Sequence, residues 1–321
     1  MTTLTFGTFI PQGWKSEYRD IPDVSRQWQI TVDMAVLAEE LGFDSVWVYD
    51  HFHNVPRAIH SSVFECWTVM AAISQRTSRI RLGQMVSCNA YRHPSVVAKI
   101  TSTIDVISGG RLDLGIGAGW YEHEYKGYGF AFGSPKERIG MLREGVEIIR
   151  SMWTQPDTTY NGKYYQLKGA QCDPKPLQQP SPPIWIGGGG EQLTLRVVAR
   201  LGDWANFGGG ATPEVFARKS ELLAEHCRVI GRDFEEIKRS VAGDICIRDT
   251  EAELRSVHAK ALITTPYEDW AVSHFVGTPD QVASRMQEYL DLGCVGFVPW
   301  CTDFPDTETL HQYAKIMQHF R

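Results

Sequence analysis

The chain has 321 residues, 43% of them hydrophobic and 22% charged, and its formal net charge is −6 at pH 7. This composition is typical of a globular protein with a sizeable core, and no apolar run is long enough to cross a bilayer, which argues against an integral membrane protein. Interspersed charges with a negative balance argue against a nucleic-acid partner, which would require a basic face.

Cysteine usage and the first residues lead us to expect a cytoplasmic protein. The cysteines are odd in number, scattered and without a Cys-x-x-Cys pair, as reduced, buried thiols are. They are Cys66, Cys88, Cys172, Cys227, Cys246, Cys294 and Cys301. The opening Met-Thr-Thr-Leu-Thr-Phe-Gly has neither the basic leader nor the apolar segment of a secretion signal.

The periodicity of apolar residues predicts eight strands that alternate with helices. The strands are expected at residues 4–10, 44–49, 80–87, from Leu112 onward, at 184–186, 203–207, within 239–247 and at 295–300. The helices are expected at residues 25–41, 64–75, from Pro94 to the glycines at 109 and 110, at 138–153, from 191 or 192 onward, and at 213–231, 250–262, 278–292 and 307–319. Because no linker divides the series, we predict one α/β domain, residues 1–321, folded as a (β/α)8 TIM barrel with insertions at its C-terminal face.

Three segments are expected outside this repeat. Residues 120–135 are aromatic and glycine-rich, and would lie over one end of the barrel. Residues 158–167 predict a β-hairpin, because Asn161-Gly162 at its middle suits a type I′ turn. Residues 173–183 are rich in proline, which predicts an extended connector.

Two glycine clusters follow predicted strands, where a barrel has its active-site mouth. Glycines 115, 117 and 119 would let a flat, phosphate-bearing ligand approach the backbone, but a tight turn that binds nothing explains them equally well. They do not form a dinucleotide-binding fingerprint, because Trp120 stands where that motif needs its third glycine. Residues 187–190 precede a helix, whose free N–H groups and dipole favour an anion; a merely flexible loop is the alternative.

Asp50, His51 and His53 follow the second predicted strand. An imidazole beside a carboxylate suits proton transfer near neutral pH. A second interpretation makes His51 and His53 a metal pair with Asp303 as a base. That site would also need histidines after the middle strands, and strands five and six supply none, so we expect no bound metal. His53 can equally be an exposed loop residue.

The segment after the first glycine cluster supplies further candidates. Trp120 and Tyr121 suit the walls of a pocket for a flat ring. Any of Glu122, His123, Glu124 and Tyr125 could supply an acid, although adjacent carboxylates in a loop are usually only solvated.

The motifs, taken in order, resemble one known family. They are Asp-His at 50–51, Leu-Gly-x-x-Val at 82–86 followed by Arg92-His93-Pro94, Gly-Ile-Gly-Ala-Gly-Trp-Tyr-Glu-His-Glu-Tyr at 115–125, Pro-Pro-Ile-Trp-Ile-Gly-Gly-Gly-Gly at 182–190 and Val-Gly-Thr-Pro at 276–279. They cover nearly the whole chain and resemble the bacterial luciferase-like superfamily. In particular, they are similar to its mycobacterial-type branch of oxidoreductases that depend on the 8-hydroxy-5-deazaflavin coenzyme F420.

This resemblance implies a homodimeric barrel with the coenzyme ring at the strand ends. It implies that His51 lies near the reactive ring, and that a cis peptide between Met85 and Val86 backs the ring. The coenzyme-binding residues that we predict are Asp50, Met85, Val86, Gly117, Gly119, Trp120, Tyr121, and for the phosphate Gly188, Gly189 and Gly190.

The chain also departs from the sugar-phosphate dehydrogenases of this branch. They have a glutamate where this chain has Trp120, and a tryptophan where it has Val55. Both departures weaken the case for a sugar phosphate as the substrate. They leave His51 as the first candidate for the proton donor and Glu122 as the second.

We therefore predict an oxidoreductase that transfers a hydride between coenzyme F420 and a small organic substrate. The alternative is an FMN-dependent luciferase-like monooxygenase. A metal-dependent barrel hydrolase and a non-catalytic carrier of the coenzyme are less favoured.

Overall fold

The structure is a computed structural model that describes residues 4–321. Its strands are β1 (Thr5–Phe9), β2 (Ser45–Val48), β3 (Arg81–Gln84), β4 (Ser87–Cys88), β5 (Leu112–Gly117), β6 (Asp157–Asn161), β7 (Gln166–Gln171), β8 (Ile184–Gly187), β9 (Trp204–Asn206), β10 (Lys238–Ile247), β11 (Phe275–Gly277) and β12 (Gly296–Cys301). Its helices are α1 (Val24–Glu40), α2 (Cys66–Ser74), α3 (Pro94–Ser108), α4 (Glu122–Tyr128), α5 (Pro135–Thr154), α6 (Thr194–Leu201), α7 (Pro213–Ile230), α8 (Glu251–Lys260), α9 (Tyr267–Ser273), α10 (Pro279–Asp291) and α11 (Glu308–Phe320).

Eight parallel strands close into a ring in the order β1, β2, β3, β5, β8, β9, β10 and β12. The ring is completed where β12 pairs with β1 and where β9 pairs with β10. The predicted (β/α)8 barrel is therefore confirmed. Outside the ring, β11 extends the sheet beside β10, and β6 and β7 form a separate hairpin.

Several element boundaries coincide with strong local signals. Helix α3 begins at Pro94, and Gly109 ends it with a left-handed φ of 72°. Helix α5 starts with a capping box in which Ser134 and Glu137 satisfy each other's backbone N–H groups. Thr212 caps α7 through a hydrogen bond from the Val215 N–H. Such caps are readable from the sequence because each needs residue types at a fixed short spacing.

The predicted type I′ turn in the hairpin is wrong. Asn161 pairs with Gln166, so four residues form the loop, and the Gly162 N–H donates to the Tyr165 carbonyl across it. The carboxylate of Glu144 on α5 accepts hydrogen bonds from the backbone N–H groups of Lys163 and Tyr164. This long-range contact, which the Asn-Gly pattern does not reveal, stabilises the wider loop.

Three further differences concern short elements near the strand ends. The predicted strand at 80–87 is divided into β3 and β4 at the Met85–Val86 peptide, which is cis, as the family resemblance implied. Helix α4 lies within the insertion at 120–135. Helix α9 and strand β11 lie in a region for which we predicted no regular structure.

Three tryptophan rings fill the barrel beneath the strand ends. Trp185 stacks on Trp204 with centroids 3.9 Å apart and meets Trp47 edge-on at 4.8 Å. Because the strands of Trp47 and Trp185 are not neighbours in the ring, this contact crosses the interior. Gly83 makes room for it, since a Cβ there would lie 2.3 Å from the Trp47 ring. The rings form the floor below the residues that follow these strands.

Within residues 4–321, no helix combines the length and the apolar character that crossing a membrane requires.

The tight contact at Gly83 leads to a prediction about stability. Gly83→Ala should lower the free energy of unfolding by about 1–3 kcal/mol, because the new methyl group overpacks the Trp47 layer. The midpoint of urea-induced unfolding, followed by circular dichroism, measures the loss. Gly209→Ala is the matched control, because a Cβ at Gly209 meets nothing within 4 Å. Equal midpoints for both variants would contradict the proposed packing.

Candidate active site

A cavity of about 620 Å³ opens where the barrel strands end. Residues at or just beyond the C-terminal ends of β1, β2, β3, β5, β8 and β9 line it, together with residues of β10. The carboxyl ends of parallel barrel strands are where active sites of this fold lie. The cavity is therefore the candidate active site.

Most of the residues predicted from the sequence meet in this cavity. Those that line it are Asp50, His51, Met85, Val86, Gly117, Gly119, Trp120 and Gly188. Gly189 and Gly190 continue the loop beyond Gly188, and Tyr121 stacks on Trp120 with ring centroids 5.2 Å apart. Glu122 is not among the lining residues; it is half exposed and pairs with Lys126 at 2.9 Å.

His51 is held by a carboxylate that the sequence analysis did not single out. Its Nδ1 lies 2.8 Å from Oε2 of Glu124, and its ring stacks on Trp14 with centroids 4.3 Å apart and planes 5° apart. Glu124 is fully buried. An ionised carboxylate can only accept, so Nδ1 carries a proton, and in the neutral form of the ring Nε2 is the nitrogen with the lone pair.

Every contact of Glu124 favours its ionised form. Oε1 accepts from the backbone N–H groups of Phe52 and His53, and Oε2 accepts from His51 and from the Tyr91 hydroxyl at 2.7 Å. Burial alone would raise the pKa of Glu124, but the hydrogen bonds from His51, His53 and Tyr91 outweigh it and lower the pKa below its usual value. Glu124 is therefore a carboxylate at neutral pH, and in this ionised form it orients His51.

The difference between Glu122 and Glu124 arises from helix α4. Residues two apart on an α-helix point about 200° apart around its axis, so the two side chains leave on opposite faces. Glu124 faces the barrel and Glu122 faces solvent. The helix was not predicted, so the sequence offered no signal to separate the two carboxylates.

The glycines of the first cluster, and Gly187 of the second, make room for other parts of the protein. A Cβ at Gly117 would lie 2.6 Å from Cγ2 of Val86, and one at Gly187 would lie 2.5 Å from its Cγ1. Gly119, with φ of 78°, leaves space for the Tyr125 hydroxyl. Glycine is therefore needed here so that Val86 can project between β5 and β8 and line the cavity floor.

Farther along the second glycine cluster, Gly189 faces a charged group instead. Gly188 has φ of 129°, which favours glycine, and a Cβ at Gly189 would lie 2.5 Å from the Lys219 ammonium. The α6 helix begins at Thr194 without a side-chain cap. Exposed N–H groups at a helix start and a nearby ammonium together favour a bound anion.

Two cations at this end of the cavity make no ion pair among the described residues. Lys219 forms no ion pair there, and burial lowers the pKa of its ammonium. Arg138 lines the cavity, donates to the carbonyl oxygens of Gly119 and Gly133, and lies over the Phe132 ring. Neither cation was identified from the sequence, because isolated basic residues on helices carry no local signature.

Asp50 lies beneath His51 in a buried charged network. Its Oδ2 accepts hydrogen bonds from the Ser87 hydroxyl, the Cys88 N–H and Arg92. Its Oδ1 has no partner among the described residues. Asp50 is therefore a buried carboxylate of the cavity lining whose charge Arg92 compensates.

The residues of the alternative metal site do not come together. The group close enough to hold a metal ion in residues 4–321 consists of Asp50, Glu65 and Cys66 and includes neither His51 nor His53. Arg92 already pairs with both of its carboxylates. Asp303, the proposed base, pairs instead with Arg248 at 2.9 Å.

Comparison with known proteins places this site in a family. The model of the luciferase-like monooxygenase family matches residues 4–275. An F420-dependent glucose-6-phosphate dehydrogenase of Nocardia farcinica (strain IFM 10152) is 33% identical over 290 residues, covering 82% of this chain and 84% of the relative.

Solved structures share the fold at lower identity. A secondary alcohol dehydrogenase, described as F420-dependent and in complex with an F420-acetone adduct, superposes with a TM-score of 0.85 at 19% identity, covering all of both chains. A monooxygenase from Streptomyces bottropensis superposes with a TM-score of 0.80 at 21% identity, covering 99% of this chain and 100% of its own. At these identities the likeness establishes the barrel, and the chemistry must be argued from the site.

The lowered pKa of Glu124 should make the site sensitive to acid. A carboxyl group with a depressed folded-state pKa stabilises the fold fully above its unfolded value, near 4.5, and loses that contribution as the pH falls through the folded value. We expect the fall in melting temperature from pH 7 to about pH 3.5 to be smaller in Glu124→Gln than in the wild type, because the variant has no carboxylate to protonate. The control is Glu122→Gln, which removes an exposed carboxylate and should respond like the wild type. An unchanged acid response in Glu124→Gln would contradict the ionised, buried Glu124.

Proposed function

Because the chain belongs to the luciferase-like monooxygenase family, we propose that it is an oxidoreductase that transfers a hydride between coenzyme F420 and a small organic substrate. The relatives named F420-dependent glucose-6-phosphate dehydrogenases support the choice of coenzyme. The observation that carries the proposal is the His51–Glu124 pair at the mouth of a glycine-lined cavity. It places a proton acceptor beside a space suited to a flat ring.

The residues of the cavity fit such a coenzyme. Val86 and Gly117 form a floor without bulky side chains, on which a flat ring can lie. Asp50, which lines the same cavity, adds a carboxylate beside this floor. The loop at 187–190 and Lys219 would hold the phosphate. When bound, F420 supplies a two-electron hydride carrier at the ring carbon that replaces the flavin N5, and it reacts poorly with O₂.

Side chains of the protein would accept and return the substrate proton. In the direction of alcohol oxidation, Nε2 of His51 accepts the hydroxyl proton as the hydride leaves the carbon, and in reduction it returns that proton to the carbonyl oxygen. Glu124 keeps the proton on Nδ1 and stabilises the imidazolium that forms, as a carboxylate behind a histidine does in other enzymes. Trp14 fixes the plane of the His51 imidazole by stacking on it. Glu122 has no part in this proposal, because its carboxylate points away from the cavity.

The second candidate is an FMN-dependent monooxygenase. The same floor and the same anion site would accept the ring and phosphate of FMN. The two candidates differ in their reaction with oxygen, which a coenzyme titration and an oxygen electrode can separate. We also propose, on the ground of the family resemblance, that the protein is a homodimer.

The first functional prediction concerns coenzyme choice. We expect the purified protein to bind F420 more tightly than FMN in fluorescence titrations, and to turn over substrate without consuming O₂. Lys219→Met should weaken F420 binding by about tenfold, or about 1.4 kcal/mol, because the phosphate loses a charge-assisted contact. Lys315→Met, which removes an exposed ammonium on α11, is the matched control and should bind as the wild type does. Tight FMN binding with substrate-dependent O₂ uptake, and no F420 binding, would reject the proposal in favour of the monooxygenase.

The second functional prediction separates turnover from binding. His51→Ala should lower kcat by about 10²-fold or more and leave F420 affinity nearly unchanged, because His51 is proposed to move a proton and not to hold the coenzyme. Glu124→Gln should also lower kcat, because its amide no longer specifies which nitrogen of His51 carries the proton. Stopped-flow absorbance of F420 measures the rates. If His51→Ala loses affinity and keeps its rate, His51 is a binding residue.

A further inference from the structure

The cavity has two halves that differ in the side chains they present. One half is built by β3, β5, β8 and β9, and contains the glycine loop, Arg138 and the neighbouring Lys219. The other half is built by residues of β10, β1 and β2, with β12 between β10 and β1 in the ring, together with His274, which follows α9. Because the first half fits the coenzyme, the second half is where a substrate would lie.

An ion pair spans the second half. The Lys15 ammonium lies 2.6 Å from Oδ1 of Asp244 and 4.1 Å from the centre of the Trp300 ring. The other oxygen of Asp244 accepts a hydrogen bond from the indole N–H of Trp270 at 2.9 Å. Burial raises the pKa of Asp244, but Lys15, His274 and Trp270 together lower it, so Asp244 is ionised and compensates Lys15. Both side chains are mostly buried, with 23% and 12% of their surfaces exposed.

His274 adds a neutral donor beside this pair. Its Nδ1 accepts a hydrogen bond from the Asp244 backbone N–H at 3.0 Å, so the ring proton lies on Nε2. Burial lowers the pKa of His274, which keeps the ring uncharged at neutral pH. Its Nε2–H makes no hydrogen bond to another described residue, and the ring lines the cavity.

Among residues 4–321, the second half therefore offers aromatic walls and polar groups without an unpaired cation. Phe9, Trp14 and Tyr49 line it, with ring centroids 4.1 Å apart between Phe9 and Tyr49 and between Trp14 and Tyr49.

Given the function proposed above, we propose that the substrate is uncharged where it lies against this half, as an alcohol or a carbonyl compound is, and that Asp244 sets this preference by neutralising Lys15. The relatives named for glucose 6-phosphate act on a dianion, and this chain is assigned a different class of substrate.

Binding of an anionic substrate group in this half would be unfavourable. To pair with Lys15 it would either have to displace Asp244, which leaves a buried carboxylate without its partner, or share the ammonium with Asp244 and be repelled by its negative charge. An uncharged hydroxyl or carbonyl oxygen needs only a donor such as the Nε2–H of His274. It leaves the ion pair intact.

Asp244→Asn tests the proposal, because it keeps the shape of the side chain and releases the charge of Lys15. With F420 bound, the glycine loop is filled, and the quenching of coenzyme fluorescence by glucose 6-phosphate, glucose and cyclohexanol reports on the second half. We expect Asp244→Asn to bind glucose 6-phosphate at least about tenfold more tightly than the wild type does, equivalent to about 1.4 kcal/mol. Glucose and cyclohexanol should change far less. Adding Lys15→Met to Asp244→Asn should remove the gain, because the released ammonium is then absent.

Two results would overturn the inference. The first is that the wild type binds or oxidises glucose 6-phosphate better than the uncharged alcohols. The second is that Asp244→Asn gains no affinity for glucose 6-phosphate while its circular dichroism spectrum remains that of the wild type. Isothermal titration calorimetry of glucose 6-phosphate into the coenzyme-free proteins gives a second comparison, because the glycine loop is the same in both proteins and a difference between them arises in the second half. A failure of F420 to bind therefore rejects the proposed function separately from the preference for an uncharged substrate.

Discussion

The candidate site depends on the hydrogen bonds that the buried carboxylate of Glu124 accepts. It receives hydrogen bonds from two backbone N–H groups after β2, from His51, and from Tyr91 before α3. A buried carboxylate without donors would be strongly unfavourable, so Glu124 needs all of these hydrogen bonds. Because the donors lie on different parts of the chain, the four hydrogen bonds hold three separate segments together. His51 is positioned as a consequence. Its tautomer follows from the charge of Glu124, and its plane follows from stacking on Trp14.

The distribution of charge divides the cavity in a chemically useful way. Cations without ion-pair partners in the described chain, Arg138 and Lys219, lie at the end with the uncapped start of α6, where an anionic group is favoured. At the opposite end Lys15 is compensated by Asp244. A bound molecule that carries a phosphate at one end and a flat ring at the other would be oriented by this contrast alone. The ring would then face the half that holds His51 and His274.

The glycines illustrate how far a sequence motif can be interpreted. Gly117 and Gly187 look like points where a ligand approaches the backbone, but the methyl groups of Val86 occupy the space that a Cβ would need. Both glycines still line the cavity, because Val86 itself forms its floor. Gly117 thus meets a packing requirement and also lines the candidate site. The sequence analysis treated these two roles as alternatives for the glycines at 115, 117 and 119. Gly189 and Gly190, whose nearest neighbours are the Lys219 ammonium and the Thr194 hydroxyl, match the anion-binding interpretation more directly.

The sequence by itself determined the barrel, most element boundaries and the strand ends at which the candidate site is proposed, because hydrophobic periodicity, caps and strand-to-loop transitions are local patterns. The family resemblance added the cis Met85–Val86 peptide. It could not choose Glu124 over Glu122, since that choice depends on which face of the short helix α4 packs against the barrel. It could not pair Lys15 with Asp244, which are separated by 229 positions. Only the closed ring of strands brings such residues together, because closure places chain ends and middle side by side, and no local pattern records which distant side chain will neutralise a charge.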